Sequence, residues 1–265
     1  MTIELAEAKN VAFQMADAAR AAILPHFRKA RLEIENKDTD GFDPVTIADR
    51  AAETAMRRVL ADLRPDDGIL GEEGGTSIGT SGLTWILDPI DGTRGFMSGT
   101  PTWGVLIALS DENGPIFGVI DQPFIGERFW GGMGENGQSG PMGEGALGVR
   151  KSSLRDAVIF TTFPEVGLPT EARGFQDVAK ECKLTRYGMD CYAYALLAAG
   201  QIDLVVEASL QPYDIAAPIA VIQAAGGMVT NWQGGPAHDG GRVIAAGCAE
   251  VHAAALEILK DIPND

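Results

Sequence analysis

The sequence predicts a mixed α/β protein, an α+β half with an antiparallel sheet followed by an α/β half. Three observations carry this. Residues 3–63 contain two segments with apolar side chains at three- and four-residue spacings. Residues 102–133 contain three short β-branched or aromatic runs separated by turn sequences. Beyond residue 148, short apolar runs alternate with helix-length segments, the pattern of a sheet with crossover helices. No Pro- or Ser-rich linker divides the chain. We therefore expect two subdomains packed as one body, 1–150 and 151–265, with the boundary near 148–156.

In order, residues 3–29 read as a helix, because Ile3, Ala6, Val11, Met15, Ala18, Ala22 and Ile23 fall on one face; Pro25 bends or ends it. Gly41 and Pro44 punctuate a polar loop. A second helix spans 47–63 and closes in Pro65-Asp66-Asp67-Gly68. Two apolar runs follow, one ending in Gly71-Glu72-Glu73-Gly74 and the other, 83–87, entering Asp88-Pro89-Ile90-Asp91-Gly92-Thr93. The three runs of 102–133 form a meander broken at Asn113-Gly114-Pro115 and Ile125-Gly126-Glu127. Strands are expected at 157–163, 202–208, 228–232 and 242–247, with a short one before 190. Helices are expected from about 170, at 190–199, at 213–225 and from 249. Trp103, Trp130 and the 106–109 run read as core, and Cys191 as a small buried apolar residue.

Composition narrows the function classes. The 265 residues carry 21 Lys and Arg against 37 Asp and Glu, a net charge of −16. Such a surface repels a phosphate backbone or an anionic leaflet, so nucleic-acid and membrane partners are not expected. Three cysteines, Cys182, Cys191 and Cys248, imply no closed disulfide framework and fit a reducing cytoplasm. The N-terminus lacks the features of a signal peptide, and no apolar run is long enough to span a bilayer.

The informative feature is where some of the acids lie. Asp88 and Asp91 end an apolar run, Glu72 ends another, Asp43 and Asp49 bracket a helix start, and Asp214 opens a helix. Crowded carboxylates repel one another unless a cation neutralises them, and an oxygen-only set favours Mg²⁺ or Mn²⁺ over zinc. Each acid also has a structural reading. Asp49 after Thr46 fits a capping box, Asp91-Gly92 a turn, Glu72 a loop, and Asp214 or Asp190 a helix N-cap.

Together the segments Lys37…Asp43-Pro44-Val45-Thr46-Ile47-Ala48-Asp49, Gly71-Glu72-Glu73, Trp85-Ile86-Leu87-Asp88-Pro89-Ile90-Asp91-Gly92-Thr93 and Tyr213-Asp214-Ile215-Ala216-Ala217 resemble the inositol monophosphatase family in order and spacing. The resemblance runs from the first helix to Gly226-Gly227 and Thr230. It implies a layered αβαβα sandwich of the inositol monophosphatase and fructose-1,6-bisphosphatase type. The continuation Arg94-Gly95-Phe96, the segment Asp190-Cys191-Tyr192-Ala193-Tyr194 and Tyr213 before Asp214 resemble the histidinol-phosphate phosphatase branch.

The resemblance implies Mg²⁺-dependent hydrolysis of a small phosphate monoester, most like L-histidinol phosphate. An inositol-1-monophosphatase or broad sugar-phosphate phosphatase is the alternative. A non-catalytic scaffold is disfavoured because Glu72, Asp88, Asp91, Thr93 and Asp214 are all present. By resemblance, Glu72, Asp88 and the Ile90 carbonyl hold one metal. Asp88 bridges to a second held by Asp91 and Asp214, and Glu72 reaches a third. Thr93, hydrogen-bonded to Asp49, activates water with Glu72. Gly92 and Thr93 N–H groups hold phosphate at the start of a short helix. Asp190 and Glu207 contact the alcohol, Arg94 binds phosphate or a site acid, and Lys37 and Asp43 give electrostatic support. A cytoplasmic homodimer is the family expectation.

Overall fold

A computed structural model describes residues 3–29, 34–36 and 44–263. Lys37 and Asp43 lie outside the described residues. In chain order the first elements are α1 (Leu5–Ile23), β1 (Ile34–Asn36), β2 (Pro44–Thr46), α2 (Ile47–Leu63), β3 (Gly68–Gly71), β4 (Gly75–Ser77), β5 (Thr84–Asp91) and α3 (Thr93–Ser98). They are followed by β6 (Gly104–Asp111), β7 (Gly114–Gln122), β8 (Glu127–Gly132), β9 (Glu135–Gly140) and β10 (Gly143–Gly145). After a single 3₁₀ turn come β11 (Val158–Thr161), α4 (Pro169–Glu181), β12 (Leu184–Tyr187), α5 (Asp190–Ala198) and β13 (Leu204–Leu210). The chain ends through α6 (Pro212–Ala224), β14 (Met228–Asn231), β15 (Gly241–Ala246) and α7 (Ala249–Leu259).

Beside the small antiparallel β1–β2 pair, two large sheets organise the described residues. The first has the order β10-β9-β8-β7-β6-β5-β3-β4 and is antiparallel except where β3 runs parallel to β5. The second has the order β12-β11-β13-β15-β14, with β11 parallel to both its neighbours and β15 antiparallel to both of its own.

Strand alternation sorts side chains into three cores and so stacks the layers. On β6, Val105, Ile107 and Leu109 face a core shared with α1 and α2, whereas Leu106 and Ala108 face a core shared with α5 and α6. On β13 and β15, Val205, Val243 and Ala245 face α5 and α6, whereas Leu204, Val206, Ile244 and Ala246 face α4 and α7. The order is α1–α2, first sheet, α5–α6, second sheet, α4–α7, the five-layer αβαβα arrangement. Helix α6 is apolar almost all round because it is clamped between two sheets. A Cβ at Gly118 would lie 2.5 Å from the Ala217 carbonyl oxygen, so only glycine lets β7 approach α6 this closely. The central core therefore draws on both halves of the chain.

Three local expectations are sharpened or change. Helix α1 stops at Ile23, so within the 3–29 segment Pro25 ends the helix rather than bending it. Trp130 is half-buried, with the Lys9 ammonium 3.5 Å from its ring centroid, while Trp103 is buried as expected. The glycine-rich β9–β10 hairpin was not anticipated, since it lacks apolar alternation.

Candidate active site

The carboxyl end of β5 brings Asp88 and Asp91 to the junction between the first sheet and α5–α6. A register shift against β6 lies between these two residues and lets both carboxylates leave the strand on the same side. Asp88 accepts from the Ile90 N–H at 3.0 Å and Asp91 from the Cys191 N–H at 2.6 Å, which ties β5 to the first turn of α5. Asp214 is the third residue of α6, and its carboxylate closes a capping box on the Gln211 N–H at 2.7 Å. Asp88, Asp91 and Asp214 can each present an oxygen within 4.8 Å of the others. Glu72, just beyond β3, touches Asp88.

Electrostatics tests what this cluster can hold. Burial, then the charges of Glu72, Asp91 and Asp214, push the Asp88 carboxyl well above its ordinary range. Burial, then Asp214 and Asp190, do the same to Asp91. An arrangement that resists ionisation this strongly is relieved by a cation. Its all-oxygen donor set fits a hard divalent ion rather than zinc. The carboxylates of Asp88, Asp91 and Asp214 are the groups that can hold it, with Glu72 in contact with Asp88.

Next to the cluster opens a cleft of about 330 Å³. Asp91, Gly92, Thr93, Arg94, Asp190, Glu207 and Asp214 all line it, so residues 123 positions apart in sequence converge. Gly92 has φ +84° at the start of α3, and a Cβ there would lie 2.7 Å from the Asp190 Cγ. Glycine is needed at 92 both for the turn and for the seat of Asp190. Asp190 itself has φ +45°, an uncommon conformation for a non-glycine residue. It is not a helix cap: Met189 occupies that position, and the Asp190 carboxylate accepts from the Thr102 hydroxyl at 3.1 Å. Arg94 lies near enough to pull the Asp190 carboxyl down against the stronger effect of burial, which raises it. The Arg94 guanidinium also stacks 4.9 Å from the Phe163 ring centroid. Glu207 accepts from the Thr162 N–H at 2.9 Å and hydroxyl at 2.7 Å, and burial pushes it up to about 7.

One expected contact is not formed. Thr93 donates to the Ile90 carbonyl at 3.2 Å, not to Asp49. Asp49 is committed to the capping box of α2: one oxygen accepts from the Thr46 N–H at 2.8 Å and from the Thr46 hydroxyl. The geometry of a helix start satisfies that oxygen locally, while the other, Oδ1, is buried without a hydrogen-bond partner. Burial pushes the Asp49 carboxyl up to about 6.

Sequence reasoning overlooked several residues here. Glu53 is buried, pairs with Arg57 at 2.7 Å, and accepts from the Glu73 and Gly74 N–H groups at 2.7 and 2.8 Å, so it shapes the turn that presents Glu72. The Glu53–Arg57 spacing of four on a helix was the available signal. Thr162, Phe163, Tyr194 and Ser209 line the cleft, and the Tyr194 hydroxyl is buried without a partner. Their residue types carry no signal by themselves.

A two-sheet, five-layer fold with an acidic cation site opening into a small cleft defines a class of metal-dependent enzymes acting on small ligands. The inositol monophosphatase family model matches residues 4–263, and the chain belongs to that family. It is a metal-dependent phosphomonoesterase. It is 39% identical to the bifunctional phosphatase IMPL2 of Arabidopsis thaliana over 93% of this chain and 73% of that protein. It is 34% identical to the histidinol-phosphatase of Streptomyces coelicolor over 89% and 91% of the two chains. The structure of an inositol monophosphatase from Zymomonas mobilis superposes with a TM-score of 0.84 at 35% identity, covering 98% of this chain and all of that one. No described helix is long and apolar enough to cross a membrane.

Proposed function

We propose that the protein hydrolyses L-histidinol phosphate to L-histidinol and phosphate, using Mg²⁺ held by Glu72, Asp88, Asp91, Asp214 and the Ile90 carbonyl. The observation that carries the substrate is the acidity of the cleft beyond the cation cluster. Asp190 and Glu207 line the same cavity as Gly92 and Thr93, so a phosphate ester seated there would place its alcohol beside two carboxylates. Such a wall favours a cationic alcohol, and histidinol carries an ammonium group and an imidazole. The kinship with a histidinol-phosphatase supports the same reading.

When bound, paired divalent ions supply an activated water and neutralise charge on the leaving oxygen. The chain does the rest. The N–H groups of Gly92 and Thr93, at the start of α3, receive phosphate oxygens. Asp49 offers a buried, unpartnered oxygen as the final acceptor of the water proton, relayed when the Thr93 hydroxyl turns from the Ile90 carbonyl. Water oxygen bonds to phosphorus in line as the ester P–O bond breaks, and the departing alcohol takes up a proton. Asp190 and Glu207 hold the cationic alcohol, and Arg94 binds phosphate or steadies Asp190. No phospho-enzyme is involved.

A second reading is an inositol-type or broader sugar-phosphate phosphatase, supported by the similarity to the Zymomonas mobilis enzyme. The two are separated by kcat/KM for L-histidinol phosphate and inositol 1-phosphate with Mg²⁺. The first reading expects a clear preference for the histidinol ester, and equal efficiency or the reverse preference overturns it. A cytoplasmic homodimer acting in histidine biosynthesis belongs to the same proposal. Light scattering and complementation of a histidine auxotroph check it.

A further inference from the structure

Two aromatic residues line the cleft, and their surroundings differ. Tyr194 is 3% exposed, whereas Phe163 is 43% exposed. An apolar aromatic ring left open in a cleft that it shares with the carboxylates of Asp91, Asp190, Glu207 and Asp214 and the small apolar side chains of Ala208 and Leu210 is a surface suited to a flat partner.

The backbone that carries the ring is pinned on both sides. Thr162, immediately before it, is pinned to Glu207 through both its N–H and its hydroxyl, and its carbonyl accepts from the Gly188 N–H at 3.0 Å. The Phe163 carbonyl accepts from the Val166 N–H at 3.2 Å, which closes a turn, and the Leu168 N–H is held by Glu171 at 2.6 Å. The face already receives one planar cation: the guanidinium of Arg94, 4.9 Å from the ring centroid. The neighbouring acids Asp190 and Glu207 favour the same kind of guest.

We propose that Phe163 is a specificity residue whose exposed ring packs against the planar, nitrogen-bearing ring of the substrate's alcohol, beside Arg94 and within the reach of Asp190 and Glu207. This rests on the histidinol-phosphate reading and names the wall that recognises the imidazole. The ligand class it selects is an alkyl phosphate ending in a flat, protonatable heteroaromatic ring. The contact forms on binding and is remote from the phosphorus, so it acts on KM rather than on kcat.

The test compares Phe163→Leu and Phe163→Tyr with wild type on L-histidinol phosphate and on inositol 1-phosphate. Leucine keeps the apolar bulk but removes the aromatic face; tyrosine keeps the face. We expect Phe163→Leu to raise KM for L-histidinol phosphate about tenfold, with kcat and the inositol 1-phosphate parameters within about twofold, and Phe163→Tyr to behave as wild type. Loss of efficiency on both substrates alike would mean that Phe163 only holds Arg94 in place, and would overturn the proposal. So would an unchanged KM. A wild type that favours inositol 1-phosphate overturns the substrate reading itself, and this role with it. A wild type that favours the histidinol ester, with no selective loss in Phe163→Leu, removes the role of Phe163 alone.

Discussion

Buried acids are treated in two ways in this molecule. Away from the cleft they are met by a guanidinium, except Asp49, which caps α2. Asp121, fully buried, accepts from Arg20 at 3.0 Å and Arg128 at 2.7 Å; Asp67 pairs with Arg64 at 2.8 Å, Asp203 with Arg150, and Glu171 with Arg242 at 2.7 Å. At the end of β5 the pattern changes. Asp88 and Asp91 are met by backbone N–H groups, and the charges that act on them most are other carboxylates. Burial raises the carboxyls in both regions, but the neighbouring charges act with opposite sign: Arg64 helps to hold Asp67 below its ordinary value and Arg128 and Arg20 draw Asp121 back against burial, whereas at Asp88 the other carboxylates add to burial and drive it well above its own. Structural acids are neutralised by the chain itself. The acids of the cleft await a charge from outside, and the net −16 of the sequence conceals both kinds.

The comparison can be broken from either side. The largest effect is expected at the shared ligand. Asp88→Asn should lower kcat at least ~10³-fold while leaving the fold intact, because one metal-holding oxygen is lost and a buried repulsion is relieved. Steady-state kinetics with a thermal melt of the same sample checks both halves, and near wild-type turnover would remove Asp88 from the site. The counterpart is Asp121→Asn, which takes the shared carboxylate from Arg20 and Arg128 and leaves Arg128 with the exposed Asp17 alone. It should cost about 3 kcal/mol of stability in a denaturant titration, with the folded fraction keeping its activity.

A smaller effect separates the two regions by pH. Glu207 is raised from its ordinary 4.5 to about 7, chiefly by burial. Between those values the folded protein holds a proton that the unfolded chain has lost. This contribution is complete below about pH 4.5 and disappears as pH rises through 7. In EDTA-treated protein, Glu207→Gln should therefore be more stable than wild type at pH 8, by about 2 kcal/mol, with a flatter stability profile between pH 5 and 7. A variant less stable than wild type at pH 8 would show that the charged Glu207 is satisfied in the fold.

Much of this was legible in the chain. The helix at 47–63 falls on α2 as expected, since Thr46 and Asp49 form the anticipated capping box and Leu63 precedes the Pro65 turn. Runs ending in Glu72 and in Asp88–Asp91 mark the strands that carry the site, because strand-end turns are where side chains are free to converge. What stayed hidden depends on long-range contact. Cys191 reaches Asp91 across 100 residues and Thr162 reaches Glu207 across 45. Neither spacing leaves a periodic trace. Glu53 and Phe163 belong to residue types with many ordinary roles, and only the fold shows one buried beneath the Glu72 turn and the other open to the cleft. The Thr93–Asp49 pairing is not formed because the Thr93 hydroxyl is given to the Ile90 carbonyl, while the start of α2 claims one Asp49 oxygen and leaves the other unpartnered.

The central claim is that the cluster at Asp88, Asp91 and Asp214 is completed by a divalent cation. Thermal unfolding of EDTA-stripped protein with and without Mg²⁺ tests it most directly, in wild type and in Asp88→Asn. At a hundredfold excess of ion over its dissociation constant, wild type should gain about 2.7 kcal/mol and melt several degrees higher, and the variant should not respond. An unchanged wild-type melting temperature, or an equal rise in the variant, would contradict the account.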